Sequence, residues 1–238
     1  MMSLKVNSIV FVSMVGIANG VIYAEYSQPF APYFSQSGQD KYVNEHLFFN
    51  KKNGVFVEIG AHDGVSYSNT VYFEQELGWS GICVEPHPNK YQELCKNRKA
   101  VCLNCCVSDF NGEAQFIKVS GAPEMLSGLK DSYDPRQLER IEQELALNGG
   151  SKEVVLVKVR QLNDILAEYD IKRIDFLSVD TEGSEERIIF SIDFDAVDID
   201  VIVCENNFGD NRIKKHLISK GYQFITSLGG DDLFKKKR

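Results

Sequence analysis

The sequence predicts an α/β domain: a mostly parallel sheet with helices packed on both of its faces. Three observations carry this reading. The runs VFVEI (55–59), GICVE (81–85), IDFLSVD (174–180) and DVIVCE (200–205) have strand length and are apolar nearly throughout, as strands buried on both faces must be. Segments with helix punctuation alternate with them. Each run also carries a carboxylate at or near its end, so the acids gather along the edge of the sheet where ligands of such folds bind.

The elements follow in order from residue 54. Ser68 can cap a helix that runs to Leu77 and is ended by Gly78. Pro86 stops the second strand, and Pro88 suits the first turn of a helix through Arg98. VCLNCCV (101–107) reads as the third strand. Residues 110–173 are more than one crossover helix needs. Within them 113–119 and 153–160 read as extra strands, and 134–147 as an amphipathic helix placing Leu138, Ile141 and Leu145 over a small core. The loop GAPEMLSGLKDSY (121–133) has the character of a functional loop or lid, in which Met125 and Leu126 either line a pocket or pin the loop. A helix over 211–220 is closed by Gly221, then YQFIT (222–226) forms a last strand with DDLFKK beside it. This gives a leading segment, 1–24, and one domain, 25–238, with an insertion at about 111–160 between the third and fourth strands.

The chain has 238 residues, 43% hydrophobic and 25% charged, enough for one good core. A net charge of -8 argues against a nucleic-acid groove. The basic end Lys235–Arg238 reads as solvated. Trp79, Tyr72 and Phe73 read as packing between helix and sheet. Of the six cysteines, Cys83, Cys204, Cys102, Cys105 and Cys106 sit in apolar runs and read as buried free thiols, and nothing looks like a disulfide framework. Cys102 and Cys105 spell C-x-x-C, but no second pair stands at zinc-ligand spacing. At the N-terminus Lys5 precedes IVFVSMVGIANGVIYA, ending at Ala24, the layout of a secretory signal or of an uncleaved anchor over residues 6–24.

Five acids fall on the expected rim: Glu58, Glu85, Asp109, Asp180 and Glu205. In VFVEIGAHDG, Gly60 and Gly64 let a turn pass close under a ligand, and the next helix offers its N-terminus. Glu85 follows at about the distance where an acid accepts hydrogen bonds from a ribose. A dinucleotide would want G-x-G-x-x-G around its pyrophosphate. Here the turn is E-x-G-x-x-x-G with Glu58 and Asp63 added, and carboxylates repel phosphate. An acid-lined turn suits a cationic, phosphate-free nucleoside, S-adenosylmethionine.

Together VFVEIGAHDG, ICVEPHP, VSD and DFLSVDTEGSE resemble the FkbM-type S-adenosylmethionine-dependent methyltransferases, over about Ser37 to Asp232. The most specific part is D-x-E-G at Asp180–Gly183. The resemblance implies a Rossmann-like, seven-stranded fold and O-methylation of a hydroxyl. It implies that Glu58, Gly60 and Gly64 line the methionine end of the cofactor and that Glu85 holds the ribose. Ser108 and Asp109 would flank the adenine, Asp180 would face the reacting methyl, and Gln39 and Asp40 would close over the cofactor.

Methylating a hydroxyl requires a base or a metal. Asp180 is the first candidate base and His62 the second; His62 also reads as a cofactor-facing side chain or a satisfied loop histidine. Asp180, Glu205 and Asn206 resemble in position the magnesium ligands of catechol-type methyltransferases. The alternative is that Glu205 and Asn206 only hold loops, and a divalent metal is not part of the primary expectation. The acceptor class stays open among small molecules, sugars and lipids. An exported, non-catalytic nucleoside-binding module would account for the signal-like start, and a nicotinamide-dependent dehydrogenase would share the fold and Glu85. Cofactor supply favours a cytoplasmic enzyme; the N-terminal segment favours export or a membrane tether.

Overall fold

The computed structural model describes residues 14–18, 21–24 and 33–238. The signal-like segment 1–24 lies for the most part outside the described residues. Its described pieces, β1 (Met14–Ala18) and β2 (Val21–Ala24), pair antiparallel. Among the described residues no helix is long and apolar enough to cross a membrane. The unit formed by β1 and β2 is separate from the unit Phe34–Arg238, to which everything below refers.

This unit runs α1 (Gln39–Val43), extended by a π-helical turn at Asn44–Phe48, then β3 (Val55–Ile59), α2 (Val71–Leu77), β4 (Ser80–Val84), α3 (Pro88–Asn97) and β5 (Val101–Leu103). The insertion follows as β6 (Cys106–Val107), β7 (Gly112–Ser120), β8 (Gly128–Leu129), α4 (Pro135–Asn148) and β9 (Ser151–Arg160). The chain returns through α5 (Leu162–Glu168), β10 (Arg173–Val179), α6 (Glu185–Ser191), β11 (Asp198–Glu205), α7 (Arg212–Ser219), β12 (Tyr222–Leu228) and β13 (Asp231–Lys236).

The main sheet has seven strands in the order β12-β13-β11-β10-β3-β4-β5. β11, β10, β3, β4 and β5 are parallel, whereas β13 runs antiparallel to both its neighbours. Only Gly229 and Gly230 join β12 to β13, and so short a link permits only a hairpin. Side chains alternate between the faces. On one face Phe56 and Phe176 stand in register, and the Phe73 ring lies 5.3 Å from Phe176 and 4.7 Å from Trp79. The other face buries Val57, Ile82, Leu177 and Ile202 under Leu162, Ile165, Ile188 and Leu217 of α5, α6 and α7. The expected Rossmann-like α/β fold, with helices on both faces, is the one found.

Two expectations need correction. The run 101–107 is two strands, not one. After Leu103 the chain leaves the main sheet, the Asn104 amide donates to the Glu85 carbonyl at 2.8 Å, and Cys106–Val107 pairs with β9 in a second sheet, β6-β9-β7-β8. Apolar content alone could not reveal a kink in such a run. Nor is the basic end simply solvated: β13 continues to Lys236, with Lys235 Nζ 3.3 Å from Asp200 and Lys236 Nζ 2.7 Å from Asp198. In α4, Ile141 is fully buried and Leu145 packs beside it, but Leu138 is 38% exposed.

Candidate active site

From β3 the chain winds outward to β4 and β5, then returns to lay β10 on the opposite side of β3. The strand order reverses between β3 and β10, where adjacent loops part and leave a crevice. A cavity of about 400 Å³ opens there. Glu58–His62 at the end of β3 and beyond it, Glu85–His87 after β4, Asp180–Glu182 after β10 and Glu205 at the end of β11 line it. The insertion closes it with Glu124–Leu129, and Gln36 and Ser37 reach it from the N-terminal side.

Glu58 is the hub of the wall beneath this cavity. Its carboxylate accepts from Ser68 Oγ at 2.9 Å, the Asn69 amide at 2.9 Å, Thr70 Oγ1 at 2.7 Å and Arg98 Nη1 at 3.0 Å. The expected cofactor-lining acid is therefore largely occupied in holding the segment 68–70 and α3 against β3. The glycines also serve the chain itself. Gly60 has φ +87°, and a Cβ there would lie 1.7 Å from the Asp180 carbonyl oxygen, so the close approach is to the neighbouring strand end. Gly64 lies outside the cavity lining, and a Cβ there would meet Leu94 and Arg98.

Glu85 accepts from the His62 and His87 backbone amides, each at 2.7 Å, leaving further lone pairs for a ligand. Burial pushes its carboxyl up to about 7, against the pull of those two amides. His62 lines the cavity beside it, with Nε2 3.4 Å from Glu124 and Nδ1 3.8 Å from Asp63. Burial lowers the His62 pKa, which favours neutral imidazole. Lys90 Nζ, 2.7 Å from Glu124, ties the insertion loop to α3.

Across the crevice stand three more carboxylates. Asp180, Glu182 and Glu205 offer oxygens within 4.8 Å of one another. Asp180 is exposed to the cavity yet ringed by protein, and burial followed by the charge of Glu182 raises its pKa well above the usual range. Glu182 is raised to about 7, chiefly by burial. Glu205 is raised by burial and by Asp180. Asp231, opposite Glu205 on β13, is raised to about 6. Glu185 holds the loop below them: it accepts from the Thr181 and Gly183 amides at 2.8 Å and 3.0 Å. Gly183, at φ +128°, leaves no room for a Cβ, which would lie 2.8 Å from the Ser132 carbonyl. Such a cluster can offset positive charge, accept a proton, or offer oxygen ligands to a divalent cation. The ligand set expected for a metal is not the one assembled, because Asn206 donates to Asp232 at 2.8 Å and to the Asp210 carbonyl at 3.0 Å.

Five other expected residues stand outside the cavity lining. Asp63 turns back on its own loop, accepting from the Val65 and Ser66 amides and from Ser66 Oγ. Ser108 donates its amide to the Arg160 carbonyl and its hydroxyl to Asp109, at the start of the second sheet. Cys105, Cys106 and Val107 line the cavity there instead. Gln39 donates to Asp231 at 2.8 Å, and Asp40, fully buried, accepts from Phe34 and Ser35. These two brace the residues that close the site.

Residues 58–229 match the model of the methyltransferase FkbM domain. The chain belongs to the FkbM methyltransferase family. No protein of curated function gives a significant sequence match. Among solved structures, this FkbM chain is similar in fold to a methyltransferase FkbM from Methylobacillus flagellatus KT, with a TM-score of 0.50 and 13% identity over 85% of this chain. It spans 48% of that chain. A precorrin-6y C5,15-methyltransferase from Geobacter metallireducens GS-15 (TM-score 0.37, 14% identity, 77% of this chain and 79% of that one) also matches. So does a methyltransferase from Pyrococcus furiosus (TM-score 0.40, 12% identity, 83% and 81%).

Two residues at the cavity of this FkbM-family chain escaped the sequence reading. Asn69 donates to Ser178 Oγ at 2.9 Å while its Oδ1, buried at the cavity wall, has no partner. Its only signal was a polar S-N-T run directly ahead of an apolar helix. Asp231 opens a strand rather than ending one, and reaches the acid rim only because β13 is antiparallel.

Proposed function

We propose that this chain is an S-adenosylmethionine-dependent methyltransferase acting on a hydroxyl group. The observation that carries the reading is one 400 Å³ cavity bearing two kinds of carboxylate. Glu85 is held by two backbone amides with lone pairs to spare, and Asp180, Glu182 and Glu205 form a cluster of three carboxylates whose charge Arg140 offsets only in part, at Glu182. Glu85 would accept from the ribose hydroxyls. Cys106, Phe116, Leu126 and Leu129 supply an apolar wall for a flat base. The orphaned Asn69 Oδ1 would accept from an ammonium group. The acid cluster favours a cation and disfavours the pyrophosphate of a dinucleotide.

When bound, S-adenosylmethionine supplies a methyl group on a positively charged sulfur. Everything else falls to the chain. Aligning the acceptor oxygen with the methyl supplies much of the rate in such a displacement. The acceptor hydroxyl loses its proton as it is methylated, and Asp180, at the cavity and with its pKa raised by burial and by Glu182, is the proton acceptor. His62 stands at the Glu85 end and is the second candidate. The reading requires the cytoplasm, where this cofactor is made; a tether through residues 6–24 would be compatible only with the domain on that side. Calorimetric titration of the purified chain tests the reading. S-adenosylhomocysteine should bind in the micromolar range and NADH should not; the reverse result overturns it.

A further inference from the structure

A second cavity, of about 300 Å³, lies beside the first and shares Glu182, Glu205 and Asn207 with it as a common wall. The turn before α4 and the loop before α7 form its other sides, through Ser132–Gln137 and Asn206–Arg212. This volume is at the small end of ligand pockets, enough for about one ring-sized molecule. It holds one apolar platform, Phe208, which is 42% exposed and has the Arg136 guanidinium stacked 3.8 Å from its ring centre.

Its charges are unusual for an anion site. Six acids line it against two arginines, Arg136 and Arg212. Both arginines are already engaged. Arg136 Nε and Nη2 each lie 2.8 Å from Asp134, while Arg212 lies 2.8 Å from Asp210 and 3.0 Å from Glu186. No cation is left over for a carboxylate or phosphate, and the surplus acids repel one. The two acids of the common wall meet neutral amides: Gln137 donates to Glu182 and Asn207 to Glu205. Ser132 Oγ has no partner. The cavity therefore presents hydrogen-bonding groups and an aromatic face, without a free positive charge.

We propose that this second cavity is the acceptor site, and that it takes an uncharged polyhydroxyl ring, a neutral sugar unit, while rejecting its anionic counterparts. The ring would lie against Phe208 and present one hydroxyl across the common wall to the acid cluster. Phe208 thereby becomes a specificity residue that the sequence motifs do not mark. The inference rests on the proposed function, since it assigns the partner of that reaction.

The test is saturation-transfer NMR on the full chain. The probes are the neutral methyl glycosides of glucose, galactose, mannose and fucose, and the anions glucuronate, galacturonate and glucose 6-phosphate. At least one neutral glycoside should bind with millimolar affinity, and every anion at least tenfold more weakly. Phe208→Ala should abolish the glycoside signal while leaving the calorimetric affinity for S-adenosylhomocysteine within twofold. An anion that binds as well as the best neutral sugar, a signal that survives Phe208→Ala, or silence from all four glycosides overturns the proposal. Because the calorimetry reports the first cavity alone, failure here is separable from failure of the cofactor reading.

Discussion

Arg98 Nη1 lies 3.0 Å from Glu58 Oε2, with the two side chains 0% and 5% exposed. Arg98 also reaches Glu74 through Nε at 3.1 Å and the Gly64 carbonyl at 3.1 Å, so one buried guanidinium joins β3, α2 and the glycine turn. Removing one partner of such a pair leaves an uncompensated buried charge. Arg98→Ala should cost about 3–5 kcal/mol in urea unfolding. A loss below about 1 kcal/mol would mean that the hydroxyls and amide around Glu58 suffice without it.

Gly60 offers a sharper test of the strand crossing. Its missing Cβ stands 1.7 Å from the Asp180 carbonyl, whereas at Gly78, φ +69°, the nearest atom is 3.4 Å away. Both are left-handed positions, where alanine is strained by about 1 kcal/mol or more. Gly78→Ala should therefore stay folded with a modest loss. Gly60→Ala should displace the β10 end and weaken S-adenosylhomocysteine binding at least tenfold, as read by calorimetry. Equal effects at the two positions would contradict the packing argument.

The raised acids fix the sign of their own contribution to the pH dependence, which the lowered histidines His62, His87 and His216 oppose below their ordinary pKa. Glu85 and Glu182 sit at about 7 and Asp231 at about 6, above their ordinary values of 4.5 and 3.8. Between those values the folded state binds more protons than the unfolded chain, so stability falls as pH rises. The stability these groups contribute is fully present below about pH 4 and is lost as pH passes through 6 to 7. For Glu85 alone the shift is worth roughly 3 kcal/mol. Thermal unfolding of the unliganded protein should show Tm declining from pH 5 to 8, once measured against Glu85→Gln, which should flatten part of the decline. A wild-type profile no steeper than the variant's would remove Glu85 from the account.

The same charges predict how cofactor forms are distinguished. The sulfonium carries a positive charge that S-adenosylhomocysteine lacks, and the cluster attracts it only when ionised. Affinity for S-adenosylmethionine relative to S-adenosylhomocysteine should rise from pH 5.5 to 8. A ratio independent of pH would place the sulfur away from Asp180.

Residues 1–24 make a separate prediction. Fused to a reporter, a working signal should carry it across the membrane and shorten it at Ala24. A reporter retained in the cytosol removes the main support for an exported binding module.

Much was legible in one dimension because it depends on local chemistry. Apolar strand runs, Pro88 opening α3, Gly78 and Gly221 closing helices, and Glu85 after its strand all act within a few residues of themselves. These determined the α/β class, the order of elements and the edge on which acids would gather. What only the folded chain decided is which of those acids keeps unpaired oxygens at the cavity. Glu58 is consumed by Arg98 from α3, Asp63 by its own loop, and Asn206 by Asp232, while Asp231 is delivered by an antiparallel strand. The break in VCLNCCV and the second cavity under α4 belong to the same class. A carboxylate looks the same in sequence whether it is satisfied or free; its partners arrive from tens of residues away, and only their arrival leaves Glu85 and Asp180 open.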